Sequence, residues 1–180
     1  MMHASAFIAT SLDGYISRAD NSIDWLEDAS SDATEDYGYE AFVSSVTCVV
    51  MGRKTFQRIL TFPEWPYQTQ RAIVMSSTLK TIPESLGDNV QLFNGSAQDV
   101  VQLLEAEGDS HLYVDGSRVI QDFIAAGLLT DITITTVPIL LGEGVSLFGG
   151  PLPKDVKLRH VATRAYQNGF VQSQYGFLKA

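Results

Sequence analysis

Val49-Val50-Met51-Gly52-Arg53-Lys54-Thr55-Phe56 is the stretch on which the reading of the fold turns. Residues 47–51 are apolar and rich in β-branched side chains, the signature of a strand buried on both faces. Gly52 ends the run, and the residues after it read as a short helix to about Leu60. A buried strand that feeds a helix through a glycine is the first half of a βαβ unit. That unit implies a parallel sheet with helices on its faces.

The pattern recurs on both sides. Residues 71–75 and 90–93 are strand-like, and the first of them ends at Ser76-Ser77-Thr78. Ser96 caps a helix whose Val100, Leu103 and Leu104 fall on one face. Residues 111–114 form another strand, broken by Asp115-Gly116-Ser117. Val119, Ile120, Phe123 and Ile124 then take up helical spacing until Gly127 stops it. Residues 132–137 are strongly strand-like, and Pro138-Ile139-Leu140-Leu141-Gly142-Glu143-Gly144 leaves them as an apolar loop. Two last strands, about 156–166 and 170–178, meet at Asn168-Gly169. Toward the N-terminus, residues 4–9 form a strand. Asp32-Ala33-Thr34-Glu35 has the spacing of a capping box opening a helix to about Ser45. Pro63 and Pro66 make Phe62-Pro63-Glu64-Trp65-Pro66-Tyr67 a loop. The order predicts one domain over residues 1–180, an α/β fold of three layers. Its central sheet is mostly parallel, with an antiparallel C-terminal edge.

Composition narrows the function. The chain has 180 residues, of which 45% are hydrophobic and 18% charged, so it can bury a core without disulfides or a structural metal. The single cysteine, Cys48, sits in an apolar run and reads as a buried thiol in a reducing compartment, the cytoplasm. Net charge is −9, and no basic cluster is longer than Arg53-Lys54, which argues against nucleic acid and anionic membranes as partners. Neither a signal peptide nor a membrane span is expected. His3, His111 and His160 lack ligand spacing, so no metal site is expected. The chain contains no G-x-S-x-G, G-x-G-x-x-G or G-x-x-x-x-G-K-[ST] pattern.

In an open parallel sheet, ligands bind beyond the carboxyl ends of the strands. Three such ends stand out. At Gly52-Arg53-Lys54-Thr55 a helix start offers free N–H groups, a guanidinium fork, an ammonium and a hydroxyl to an anion. Two cations at a helix start are locally unfavourable, which itself points to a ligand. Ser76-Ser77-Thr78 offers hydroxyls for a phosphate or ribose, or simply a polar turn. Asp115-Gly116-Ser117-Arg118 again joins strand, glycine and helix.

These residues resemble the dihydrofolate-reductase-like superfamily. Within it the chain is most similar to the reductase domain of the bacterial bifunctional riboflavin-biosynthesis deaminase/reductase and its stand-alone relatives. The likeness runs from Ala4 to Phe177. It is carried by Ser11-Leu12-Asp13-Gly14-Tyr15-Ile16, Ile23-Asp24-Trp25-Leu26, Met51-Gly52-Arg53-Lys54-Thr55-Phe56, Trp65-Pro66-Tyr67, Val114-Asp115-Gly116, residues 123–128 and Pro138-Ile139-Leu140-Leu141-Gly142-Glu143-Gly144. The resemblance implies NADPH as cofactor. It lays Gly52, Arg53, Lys54 and Thr55 along its phosphates, and Ser76 and Ser77 near the adenosine 2′-phosphate. Gly116, Ser117, Arg118 and Val119 would lie near the pyrophosphate, and Leu141, Gly142 and Glu143 at the nicotinamide end. Asp13 and Trp25 would lie near the mouth of the substrate pocket. Two departures mark this chain. Gly116-Ser117 replaces the family's Gly-Gly. Where dihydrofolate reductase carries a pterin-holding carboxylate this chain has Ser30, with Glu27, Asp28 and Asp32 nearby.

The implied function is an NADPH-dependent reductase of a pteridine- or pyrimidine-like small molecule. It resembles 5-amino-6-(5-phosphoribosylamino)uracil reductase. A nucleotide-binding module that kept the fold without turnover, and dihydrofolate reductase itself, are the alternatives. Asp13 is the first candidate for a proton source, and Trp25, Trp65 and Tyr67 for an aromatic wall against a flat heterocycle. Arg18, Arg58 and Arg71 are loose candidates for a second basic cluster. A homodimer is expected, with residues 132–137 and 139–148 able to build its interface.

Overall fold

A computed structural model describes residues 2–30, 35–150, 152 and 154–178. Strands β1 (His3–Ser11), β3 (Cys48–Gly52), β4 (Arg71–Met75), β5 (Val90–Phe93), β6 (His111–Asp115), β7 (Asp131–Val137), β9 (Leu158–Ala165) and β10 (Val171–Phe177) form one sheet. Its order is β5-β4-β3-β6-β1-β7-β10-β9. The first six positions are parallel throughout, and β10 runs antiparallel to both β7 and β9. Two short strands, β2 (Tyr15–Ser17) and β8 (Val145–Ser146), pair apart from it.

Both faces of the sheet are covered, so successive residues of a strand serve different cores. In β1, Ala4 and Ala6 join the cluster formed with α4 (Ala97–Ala106) and α5 (Ser117–Ala125), where Val100, Leu104, Ile120 and Phe123 are buried. Phe7 packs into the opposite cluster, with Phe56 and Ile59 of α3 (Arg53–Ile59) and with Tyr39 and Phe42 of α2 (Tyr39–Ser45). Helix, sheet and helix give three layers. A smaller cluster of Trp25, Val137 and Phe170 seats α1 (Asp24–Ser30) at the end of β7.

The helix expected from Asp32 to Ser45 begins later. Asp32, Ala33 and Thr34 lie outside the described residues, and α2 starts at Tyr39. Gly38 just before it has a left-handed φ of 81°, which interrupts helical continuity, and Asp36 accepts from the N–H groups of Gly38 and Glu40. The strand of residues 132–137 is paired on both sides, with β1 and β10, so it has no free edge for a partner chain. Strand β9 holds the outer edge instead.

Register levels the strand ends. Met51 lies opposite Asp115, and Gly52 opposite Met75. The loops opening at Gly52, Ser76 and Gly116 therefore share one edge. Strands β1 and β7 continue past that level to Ser11 and Val137, which face each other. The result is a step, with the three loops below and residues 11–13 and 138–142 above.

Candidate active site

The lower half of the step is built from two helix starts. Helix α3 begins after Gly52 and α5 after Gly116, and neither has a capping side chain. Their first N–H groups are left without side-chain acceptors. The two junctions touch. A Cβ on Gly52 would sit 3.3 Å from Val119 Cγ2, and one on Gly116 would run into Thr55 Oγ1. Gly116 also has a φ of 92°, where other residues are strained. This explains why glycine stands at position 116, and Gly52 adds close approach to Val119. Arg53 Nη1 donates to Thr78 Oγ1 at 2.8 Å, which brings the first strand end to the second. Ser76 Oγ accepts from the N–H groups of Thr78 and Leu79, fixing that turn. Among the described residues neither Arg53 nor Lys54 is in an ion pair with a carboxylate, whereas Arg118 pairs with Asp122.

The upper half is held by Asp13. Its carboxylate accepts from Ser11 Oγ at 2.6 Å, from Gly142 N at 2.7 Å and from Leu141 N at 3.1 Å. The Ser11 hydroxyl, followed by these two amides, holds Asp13 below the usual carboxylate range. A carboxylate so engaged is a poor proton donor, and its geometry is that of an anchor between the β1 turn and the 138–144 loop. Gly144 is also constrained, because a Cβ there would run into Ser17 O. Glu143 is exposed.

Asp115 is marked by the sequence only as part of a strand end, with no role of its own. It ends β6 directly before Gly116, on the same side of the strand as Tyr113. Tyr113 packs with Tyr39 and Tyr67 in the α2–α3 core. Tyr39 and Tyr67 join hydroxyls at 3.2 Å, and Tyr113 donates to Phe7 O at 3.0 Å. Burial pushes Asp115 up to about 6, against smaller opposing effects of the Gly116 N–H and the Tyr113 hydroxyl. Burial, and then the Asp115 charge, also raise the Tyr67 and Tyr113 phenols, which stay neutral. The signal available in sequence was position alone, an acid closing a buried strand ahead of a glycine.

The three aromatics expected to form one wall do not meet. Trp25 is only 3% exposed and packs against Val137 and Phe170. Tyr67 is also 3% exposed, and Trp65 lies edge-on to it and donates from Nε1 to Tyr67 O. Only Trp65 of the three keeps appreciable surface. The loose basic cluster does not form either. Arg71 lies at the opposite edge, paired with Glu107 and Asp109 at 2.8 Å each, because it begins β4 rather than ending it. Arg18 is held by Asp24, and Arg58 by Glu27. Of the carboxylates near the pterin-holding position at Ser30, Glu27 is thus engaged in an ion pair, and Asp32 lies outside the described residues. Among the described residues no three His, Cys, Asp or Glu side chains are placed to hold a metal ion. No helix among them is long and apolar enough to cross a membrane.

The architecture and its strand-end loops agree with comparison to known proteins. Residues 3–172 match the RibD C-terminal domain. The chain belongs to that family. It is 33% identical to the uncharacterized protein YwjB of Bacillus subtilis, over 89% of this chain and 90% of that one. A Shewanella sp. PV-4 protein assigned provisionally to riboflavin biosynthesis superposes with a TM-score of 0.91 at 35% identity, covering 99% of this chain and 100% of that one. The Thermotoga maritima diaminohydroxyphosphoribosylaminopyrimidine deaminase/5-amino-6-(5-phosphoribosylamino)uracil reductase superposes at 0.71 with 13% identity, over 98% of this chain and 57% of that one. Enterococcus faecalis dihydrofolate reductase, complexed with NADP(H), superposes at 0.64 with 16% identity, over 98% of this chain and 97% of that one. The last two likenesses are of fold. This RibD C-terminal domain therefore has the dihydrofolate-reductase-like architecture.

Proposed function

We propose that the protein is an NADPH-dependent reductase of a pyrimidine- or pteridine-like heterocycle. The observation that carries this reading is the contact between two helix starts without side-chain caps at Gly52 and Gly116, beside two cations in no ion pair among the described residues. Free N–H groups at adjacent helix starts suit the two phosphates of a pyrophosphate. Arg53, oriented by Thr78 beside Ser76 and Ser77, suits a further phosphate such as the one that distinguishes NADPH from NADH. Lys54 and Thr55 continue the same surface, and Ser117, Arg118 and Val119 line the second helix start.

The bound dinucleotide supplies a hydride from its nicotinamide. The chain's own residues hold and orient the acceptor and move the proton. In this reading Asp115 is the proton donor, its proton held more tightly through burial at the strand end directly before Gly116. Its proton goes to the nitrogen or oxygen of a C=N or C=O group as carbon takes the hydride, and solvent returns it. Asp13 is a positioning residue that fixes Leu141 and Gly142 over the cleft, and Trp65 offers an aromatic surface to a flat ring. The buried, unpaired Cys48 thiol, pushed up to about 12 by burial, suits a cytoplasmic protein. We further propose a homodimer, in which exposed Leu140 and Phe148 and the edge strand β9 are the surfaces available. Light scattering should return about twice the chain mass of 19.7 kDa, and a monomer would remove this claim.

The reductase reading is tested by calorimetric titration with NADPH and with NADH, followed by NADPH oxidation over a panel of aminopyrimidines and pterins. Micromolar NADPH binding, about tenfold or more tighter than NADH, is expected. Binding of neither dinucleotide overturns the reading. Binding without oxidation of any heterocycle would instead identify a module that kept the fold.

A further inference from the structure

We infer that Ser5 is a proton-dependent toggle between His111 and Asp131, at the end of the sheet opposite the candidate active site. The inference stands apart from the reductase reading.

Strands β1, β6 and β7 begin side by side, with His3 opposite His111 and Ser5 opposite Asp131. Ala4, Ala6 and Leu112 enter the core on the α4–α5 face, so His3, Ser5 and His111 lie on the other, beneath α2. There Phe42 of α2 meets the His111 ring edge to face. Ser5 is only 2% exposed, so protein groups must satisfy its hydroxyl. Its Oγ lies 3.0 Å from Asp131 Oδ2 and 2.9 Å from His111 Nε2. The other ring nitrogen of His111, Nδ1, faces Ser45 O at 3.1 Å. Asp131 Oδ2 also holds His3 Nε2 at 2.6 Å.

Counting protons separates two states. Ser45 O is a carbonyl and only accepts, so it calls for a proton on His111 Nδ1. The Asp131 carboxylate only accepts as well, and Ser5 has one proton to give. When His111 is an imidazolium, Nδ1–H goes to Ser45 O and Nε2–H to Ser5 Oγ, and Ser5 donates to Asp131. When His111 is neutral and keeps Nδ1–H, its bare Nε2 is an acceptor. The Ser5 proton then turns to Nε2, and of the two donors Asp131 keeps only His3. Rotation of one hydroxyl thus passes the protonation state of His111 to the His3–Asp131 pair.

The surroundings set the direction. Burial holds His111 below its ordinary value of 6.5. The Ser45 carbonyl opposes that, His3 adds to it and Asp131 opposes it, in falling order of size. From β3, Thr47 contributes a neutral hydroxyl that donates to His111 O. Arg71, Glu107 and Asp109 pair with one another. The folded protein therefore holds this proton less tightly than the unfolded chain. The associated stability is complete above pH 6.5 and is lost as pH falls through the lowered value. Ser5 faces His111 in alkaline solution, and acidification hands its proton to Asp131.

Nitrogen-15 NMR of the histidine rings reads both states. At about pH 8, His111 is expected as the Nδ1–H tautomer. Ser5→Ala removes the acceptor of Nε2–H and its link to Asp131, so His111 should bind its proton about tenfold more weakly. Asp131→Asn should also weaken it, and the double variant should show less than the summed effect, because both act through one hydroxyl. An Nε2–H tautomer at about pH 8 overturns the inference, since Ser5 would then face Asp131 in both states. So does proton binding by His111 that is unchanged or tighter in Ser5→Ala, or full additivity in the double variant.

Discussion

Gly116 and Thr55, on neighbouring strand–helix junctions, approach so closely that no Cβ fits on the glycine without striking the threonine hydroxyl. The contact locks the two helix starts to a fixed spacing. Gly116→Ala therefore introduces a clash and also asks alanine to hold a φ of 92°. A loss of about 1–3 kcal/mol is expected in thermal or denaturant unfolding. NADPH affinity should fall with it. Thr55→Ala in the same chain removes the struck oxygen and should recover part of the loss. The backbone contribution remains, and a double-mutant cycle separates the two. Additive effects would show that the junctions are not coupled through this contact.

Asp115 ties stability and activity to pH in the same direction. Its folded value of about 6 lies above the ordinary 3.8, so the folded protein holds this proton more tightly than the unfolded chain does. The associated stability is fully present below pH 3.8 and is lost as pH rises through about 6. That interval corresponds to on the order of 3 kcal/mol. Asp115→Asn should therefore melt above the wild-type protein at pH 8 and close to it at pH 3.5. The same substitution removes the proposed acid and should lower NADPH oxidation about a hundredfold or more. Wild-type turnover should decline as pH rises past about 6. A flat profile, with full activity in Asp115→Asn, would assign the proton to solvent.

The fold was legible where local signals agreed with tertiary demands. Strands 71–75 and 90–93 are bounded as the sequence predicts, because apolar runs between polar turns have one solution in a buried parallel sheet. Helix α1 was not legible, since seven residues without strong periodicity hold as a helix only because Trp25 is buried against Val137 and Phe170. The β2–β8 pair was hidden for a similar reason, its partners being joined only by tertiary structure. The cofactor half of the site could be read because each strand end carries its residues in one short string. The acid–base half could not. The character of Asp115 comes from Tyr113, Tyr39 and Tyr67, brought together by three different elements. The role of Asp13 comes from amides far along the chain.

The Asp13 anchor has a direct consequence for dynamics. The Leu141 and Gly142 amides both end on its carboxylate, so hydrogen exchange at those two positions should be slow. Asp13→Ala should accelerate exchange there while leaving β1 and β7 protected. Its expected kinetic effect is a higher KM with a smaller change in kcat, because a loosened loop weakens positioning more than proton transfer. Asp13 sits below its ordinary value of 3.8, so it stays ionised from neutral pH to well into the acid range. The anchor contributes stability above pH 3.8 that is lost only as pH falls through the lowered value. A strong dependence of loop exchange on pH between 5 and 8 would contradict this assignment.

Arg53 decides between the two dinucleotides. Its guanidinium is held at 2.8 Å from Thr78 Oγ1 and is in no ion pair among the described residues, so in the proposed reading its charge serves a phosphate. Arg53→Ala should weaken NADPH about tenfold or more and leave NADH nearly unchanged, which erases the preference between them. Arg53→Lys keeps the charge but not the fork, and should restore only part of the difference. Raising ionic strength should narrow the NADPH–NADH gap in the wild-type protein and have little effect in Arg53→Ala. Equal losses for both dinucleotides in Arg53→Ala would move the arginine from the 2′-phosphate to the pyrophosphate, and Ser76 and Ser77 would then be the residues to substitute next.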